Sequence, residues 1–362
     1  MSASRVAFLQ AICENPDDDT ARLVFADWLD EQGDPERAEF IRLQIGIASG
    51  SIPEARLATA QARTEELFKR NETAWRGELP VRSGVTWATS PFARGFADTV
   101  GFRHGKAWKE DAEAVFATAP VSHLQCGGTF TSRTARPVLA SPLIGRLSVL
   151  AGIHFDETGA KALASNPHFN GRLRELHISG PEDGDGAAAV LSQVSALRNL
   201  ETLTLGTIGP KGVAAVAGSP HLSRLKNLHV GSNQIGDEGA DALAASPHLS
   251  ALQHLLLNYT NISDRGAVAL VQSRHLVSLR ELYLGGRNPI TDAGALQIAT
   301  STGLPRLAEL HLWDSRITDL GARALADFAE RRGLQVLNLR SCPISAEVLR
   351  ELKDRLGERF CS

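Results

Sequence analysis

The sequence predicts an α/β solenoid, a parallel concave sheet backed by convex helices, preceded by a small all-α N-terminal domain. Three observations predict it. Segments of the LxxLxL type begin at Val121, Leu147, Leu173, Leu200, Leu225, Leu252, Leu279, Leu307 and Leu334, a spacing of 25 to 28 residues. A period of that size marks stacked units that complete a core only together. Between these segments a glycine at Gly212, Gly239, Gly266, Gly294 or Gly321, flanked by alanines, opens a short helix. Residues 1–79 instead show apolar residues at helical spacing, interrupted by capping residues. At 362 residues the chain exceeds what one core usually organises, and a repeat array escapes that limit.

Taken in order, Val6, Leu9, Ile12 and Cys13 form the apolar stripe of a first helix. The run from Asn15 to Thr20 supplies capping oxygens for a second, with Val24, Phe25, Trp28 and Leu29 inward and Gly33 as its stop. Asp34-Pro35 opens a third, which carries Phe40, Leu43 and Ile47; a fourth runs from Pro53 to about Arg70 with Leu57, Leu67 and Phe68. Residues 80–95, with Pro80 and Pro91, read as a connector. From residue 96 a degenerate first strand (Phe96, Val100, Phe102) leads to a helix over Asp111–Ala119 and then to the regular repeats. Gly152, where a leucine is expected, predicts a local irregularity. After Leu334, Ser345-Ala346-Glu347 replaces the Asp-x-Gly entry and the helix is charged, as a terminal cap should be.

Two resemblances follow from these residues. NPDDDTARLVFADWLDEQGDPERAEFIRLQ at 15–44 resembles the bacterial repeat-companion domain, a family that implies position ahead of a repeat array and no particular activity. The unit LKNLHVGSNQIGDEGADALAASPHLSA at 225–251, with strand, turn and true helix, resembles the ribonuclease-inhibitor-like class of leucine-rich repeats, which implies the solenoid fold over 96–362. The expected organisation is a helical domain at 1–79, a connector at 80–95 and a leucine-rich-repeat solenoid at 96–362.

Composition narrows the function. A hydrophobic share of 43% with 22% charged residues fits a folded soluble chain, and no apolar run reaches the length of a membrane span, so no membrane partner is expected. A net charge of −3 without a basic block argues against nucleic acid. The first residues lack a basic segment followed by an apolar one, so a cytoplasmic location is expected. Cys13, Cys126, Cys342 and Cys361 show no CxxC spacing, which argues against a disulfide framework and a zinc finger.

No catalytic motif is present, and the informative residues are those between the strand leucines, which point to the concave surface. One column reads His177, Thr204, His229, Leu256, Tyr283, His311, Asn338, and the other Glu175, Thr202, Asn227, His254, Glu281, Glu309, with Tyr259, Trp313 and Asp314 just beyond. His254, Glu281 and Glu309 should lie side by side. With His311 they carry donors that could hold zinc, but flat spacing does not converge them, and an acidic patch at Glu281 and Glu309 is the simpler reading. His168, His221, His248 and His275 recur in phase, which makes them structural positions with a hydrogen bond to backbone. Asp17-Asp18-Asp19 reads as helix capping, and Asp183-Gly184-Asp185-Gly186 as a turn before a helix.

The expectation is therefore a monomeric, non-enzymatic scaffold without cofactor or metal. It binds a partner protein through Tyr259, Tyr283, His311, Trp313, His254, Glu281, Glu309 and His229. An alternative is a regulator or adaptor of another enzyme, resembling leucine-rich-repeat proteins that activate GTPases or recruit modifying enzymes; it would need a rim arginine such as Arg287 or Arg316. A remote alternative is a metal-dependent enzyme on the His/Glu patch.

Overall fold

The computed structural model describes residues 3–89, 92–128, 130–180 and 184–362. It divides into two compact units, residues 1–130 with 141–152 and residues 131–140 with 153–362. The first unit begins with four helices, α1 (Ala3–Glu14), α2 (Asp19–Glu31), α3 (Pro35–Ala48) and α4 (Glu54–Gly77). Their starts follow the capping chemistry. Asp18 accepts a hydrogen bond from the Thr20 N–H at 2.9 Å, Asp34 accepts one from the Arg37 N–H at 3.3 Å, and Pro35 occupies the first turn of α3. Gly33 ends α2 in the left-handed region, φ +84°.

Several inward positions differ from the sequence reading. Val6 is 50% exposed and Val24 48%. The buried face of α2 runs through Arg22, Phe25, Ala26 and Leu29, an i, i+3, i+4, i+7 stripe that leaves Val24 outside. Leu43, Ile47 and Leu57 are only half-buried, and Ile41 and Ile45 carry the face of α3 beside Phe40. Helix α4 continues past Arg70 because nothing from Asn71 to Arg76 breaks a helix and Trp75 is buried at its end. Two clusters result. Ile12, Phe25, Leu29, Ile41 and Ile45 pack with Phe96; Phe40, Leu67, Phe68 and Trp75 pack with Phe92 and Ala97. Side chains of residues 92–97 thus complete the core of the helices.

Residues 80–95 are more than a connector. They contain β1 (Val85–Trp87), which pairs antiparallel with β2 (Thr99–Phe102) and covers what would be an unpaired sheet edge. Pro91 lies outside the described residues. Helix α5 (Gly105–Thr118) starts ahead of Asp111 because the His104 ring Nδ1 accepts the Ala107 N–H at 3.1 Å and caps it. Strands β3 (His123–Cys126) and β4 (Val149–Ile153) then add in parallel. At Gly152 φ is +67° and a Cβ would sit 2.3 Å from the Cys126 carbonyl oxygen, so only glycine fits the irregular position.

The second unit holds α6 (Ser132–Leu139), α7 (Glu157–Ala164) and then the alternation β5 (Glu175–Ile178), α8 (Gly184–Leu191), β6 (Thr202–Leu205), α9 (Pro210–Ala217), β7 (Asn227–His229), α10 (Gly236–Ala244) and β8 (His254–Leu256). It continues through α11 (Asp264–Val271), β9 (Glu281–Tyr283), α12 (Asp292–Ala299), β10 (Glu309–His311), α13 (Asp319–Arg332), β11 (Val336–Asn338), α14 (Ala346–Leu356) and β12 (Phe360–Cys361). From β5 to β12 each strand pairs in parallel with the next. The central leucines Leu203, Leu228, Leu255, Leu282, Leu310 and Leu337 are buried. The charged helix α14 follows β11. The strand after it, β12, has only two residues, too few to leave a periodic signal.

Polar ladders tie one repeat to the next. Asn288 is fully buried: its amide donates to the carbonyls of Leu257 and Leu284, and its oxygen accepts the N–H groups of Thr260 and Ile262. Asn233 repeats the pattern with Leu205, Val230 and Ile208, and Cys342 fills the same position with its Sγ on the Leu312 carbonyl. Asp237 accepts from Ser263 and Gly266 N–H, and Asp292 from Thr318 and Gly321 N–H, so each carboxylate caps the helix of the following repeat. The entry glycines make room for it: a Cβ on Gly294 would lie 2.2 Å from Asp264 Oδ1. Asp185 does the same for Gly209 and Gly212, while Asp183 lies outside the described residues.

A third ladder explains the recurring histidines. Ser273 donates to the Ala244 carbonyl at 2.6 Å and Ser301 to the Val271 carbonyl at 2.7 Å. The following His248 and His275 give their backbone N–H to Ser246 and Ser273, and His168 gives its own to Asn166. The repeated link runs through the serine side chain and the histidine backbone, not through the imidazole as the sequence suggested.

Candidate functional site

Strand pairing places the two columns in register on the face opposite the buried leucines. Glu175, Thr202, Asn227, His254, Glu281 and Glu309 align across neighbouring strands, as do His177, Thr204, His229, Leu256, Tyr283, His311 and Asn338. These side chains alternate with the buried leucines because successive residues of a strand point to opposite faces. They are half-buried rather than fully solvated.

The residues expected to cluster resolve into two aromatic pairs. Tyr283 and the His311 ring stack at 4.1 Å with 5° between planes, while Tyr259 and Trp313 meet edge to face at 5.4 Å. The second pair is seated on glycine. A Cβ on Gly285 would lie 2.5 Å from the Trp313 ring, and one on Gly286 would lie 2.7 Å from that of Tyr259. Gly285-Gly286 is therefore part of the site although no property of glycine itself announced it. The signal available was its position at a strand exit, where other repeats carry Asn258-Tyr259 or Trp313-Asp314.

The His/Glu patch is a set of pairs. His254 Nδ1 lies 2.9 Å from Glu281 Oε2, and His311 Nε2 lies 3.1 Å from Glu309 Oε2. The Tyr283 hydroxyl donates to Glu281 at 3.0 Å. Burial works against ionisation of Glu281, but the hydrogen bonds from His254 and Tyr283 outweigh it and hold the carboxyl below its ordinary range. Burial, with the same carboxylate beside it, pushes the Tyr283 phenol up to about 12. Glu281 and Glu309, expected as a local acidic patch, are each engaged by a histidine. His229 is pulled down by burial, then by His177 and His254. It lies 3.4 Å from the Thr204 hydroxyl, which in turn contacts His177 at 2.8 Å.

Among the described residues no group of three or more His, Cys, Asp or Glu converges as a metal site requires. Asp18 is occupied by its cap, and Asp19 lies 3.7 Å from Arg22 and 3.5 Å from Arg94. Arg287 points to Asp314 of the neighbouring turn at 3.5 Å. Burial raises the thiols of Cys13, Cys126 and Cys342, that of Cys126 to about 12, which suits packing rather than nucleophilic chemistry. No helix among the described residues is long and apolar enough to cross a membrane.

A family model described as Leucine Rich repeat matches residues 221–244 and 248–271. No curated protein matches the sequence. Among solved structures, a chain of the yeast Rad7 and Elc1 complex is 15% identical, with 96% of each chain covered and a TM-score of 0.50. A Bacteroides fragilis protein is 18% identical over 71% of this chain and 80% of its own, with a TM-score of 0.44. An internalin from Listeria monocytogenes is 16% identical over 67% and 79%, with a TM-score of 0.29, and neither of these two weighs on the fold. The strand register, the Asn288-type ladder and the two matched repeats together give the chain a leucine-rich-repeat solenoid fold, with parallel strands alternating with helices after an all-α region.

Proposed function

We propose that the chain is a non-enzymatic scaffold whose open sheet face captures a partner protein, centred on Tyr259, Tyr283, His311 and Trp313 and bordered by His229, His254, Glu281 and Glu309. The observation that carries this is the pair of aromatic contacts held in place before any partner arrives, one stacked on its neighbouring strand and one seated on Gly285-Gly286. Preorganised aromatics lose little freedom on binding and are the usual centres of interfaces. Parallel strands about 4.8 Å apart make the face from β5 to β12 on the order of 30 Å long, a length that suits a protein partner. That a solved relative of the same fold is part of a two-protein complex supports the reading. Full helices behind the strands support repeats of the ribonuclease-inhibitor-like kind, and residues 15–44 support a bacterial repeat-companion domain ahead of them.

The test is affinity capture of a partner with the parent chain, then titration of that partner against Tyr283→Ala with Trp313→Ala. Binding should weaken at least roughly tenfold while the melting temperature barely shifts. Unchanged binding by the double variant would place the partner elsewhere.

A further inference from the structure

Within the first unit, a cavity of about 580 Å³ opens among α1, α3, α4, α5 and residues 92–97. Its walls are mainly apolar, with Leu9, Phe96, Phe116 and Leu143 among them, and Arg37 forms part of the lining. Arg37 is 4% exposed. Its guanidinium carbon lies 4.5 Å from the Trp75 ring centroid, 5.0 Å from Phe92 and 5.6 Å from Phe96. Aromatic faces offset part of the cost of desolvating a cation but accept no directed hydrogen bond. Nη1 is buried without a hydrogen-bond partner among the described residues. Neither nearby carboxylate supplies one: Glu78 pairs with Arg5, and Asp34 accepts the Arg37 backbone N–H as the cap of α3. Burial pulls the Arg37 pKa down to about 10, which leaves it charged at neutral pH.

A buried cation with an unused donor at the wall of an apolar cavity is chemically incomplete, and an anion with an apolar body would complete it. The volume falls within the roughly 300–1,000 Å³ of small-molecule sites. Glu14, Glu78 and Glu113 also line the cavity, balanced by Arg5 and Arg146 beside Arg37, so the wall offers no surplus of positive charge for a doubly charged phosphate. We propose that this cavity binds a small organic carboxylate with an apolar chain of roughly eight to ten carbons, the carboxylate on Arg37 and the chain against Leu9, Phe116 and Leu143. The site lies in the first unit and is independent of the open sheet face of the second.

Calorimetric titration of the full chain with sodium octanoate tests this, with 1-octanol and octylamine as controls. Octanoate should show one saturable site, and both controls should bind at least about tenfold more weakly, since they cannot form the charge-assisted hydrogen bond. Arg37→Met should erase the preference for octanoate. Leu143→Trp, which fills the cavity and leaves Arg37 in place, should block octanoate and decides the matter if the first variant folds poorly. Absence of saturable octanoate binding, equal binding of 1-octanol, or octanoate binding that survives Leu143→Trp would overturn the proposal.

Discussion

In the repeats, a buried polar side chain such as Asn288 meets backbone groups of two successive units and leaves none of its hydrogen-bonding capacity unused. In the helical region the buried charged groups are two arginines, and they differ. Arg22 donates to the carbonyls of Pro16 at 2.8 Å and Asp18 at 3.1 Å, whereas Arg37 faces aromatic rings and a cavity. Repetition accounts for the contrast. A unit stacked on a copy of itself presents the same unpaired backbone groups at each step, so one position in the repeat solves the problem each time, with Asn233, Asn288 or Cys342. The helical region has no copy to stack on, and each buried polar group there finds its own solution or remains open to a ligand.

Breaking an Asn ladder should have the largest effect. Asn288→Ala removes the side-chain partner of the Leu284 carbonyl and of the Thr260 and Ile262 N–H groups, the Leu257 carbonyl keeping the Thr260 hydroxyl, and should cost about 3 kcal/mol or more, read from urea unfolding. A cost below about 1 kcal/mol would show that water replaces the amide. The two arginines sharpen the comparison next. Arg22→Met should destabilise by about 2 kcal/mol, since it takes the side-chain donor from the Pro16 carbonyl and a second one from the Asp18 carbonyl, while Arg37→Met should cost less than about 1 kcal/mol or raise stability. Equal losses would mean that Arg37 is structural.

Gly294→Ala should cost about 1–2 kcal/mol by displacing Asp264 from its cap, and Asp264→Ala should cost a similar amount. If the carboxylate contact is the reason for the glycine, the double variant should be less damaging than the sum of the two. The smallest effect concerns acid. The folded pKa of Glu281 is depressed, so its contribution is present above the unfolded value near 4.3 and is lost as pH falls through the lower folded value. Glu281→Gln should flatten the acid limb of the stability profile below about pH 4 by under about 1 kcal/mol and leave neutral stability nearly unchanged.

The candidate face was legible because a strand's alternation is local: once the leucines are assigned inward, Tyr283, His311, His254 and Glu281 must lie opposite them, and the register follows from the repeat period. The aromatic pairing was not, because it depends on which ring leans onto which neighbouring turn and on the space above Gly285 and Gly286. The same limit applied to the recurring histidines, where the phase was visible but the serine, or Asn166, two residues before each made the contact.

By itself, the sequence determined the repeat period, the strand register, the helix starts capped by Asp18 and Asp34 and the residues offered on the open face. All of these rest on spacing along the chain and on capping within a few residues. The tertiary structure alone decided that Asp237 and its equivalents cap the next repeat rather than their own, that residues 85–87 form an edge strand, that Val24 faces out while Arg22 faces in, and that Arg37 lies at the wall of a cavity. These depend on contacts between residues far apart in the chain, whose partners no local pattern specifies.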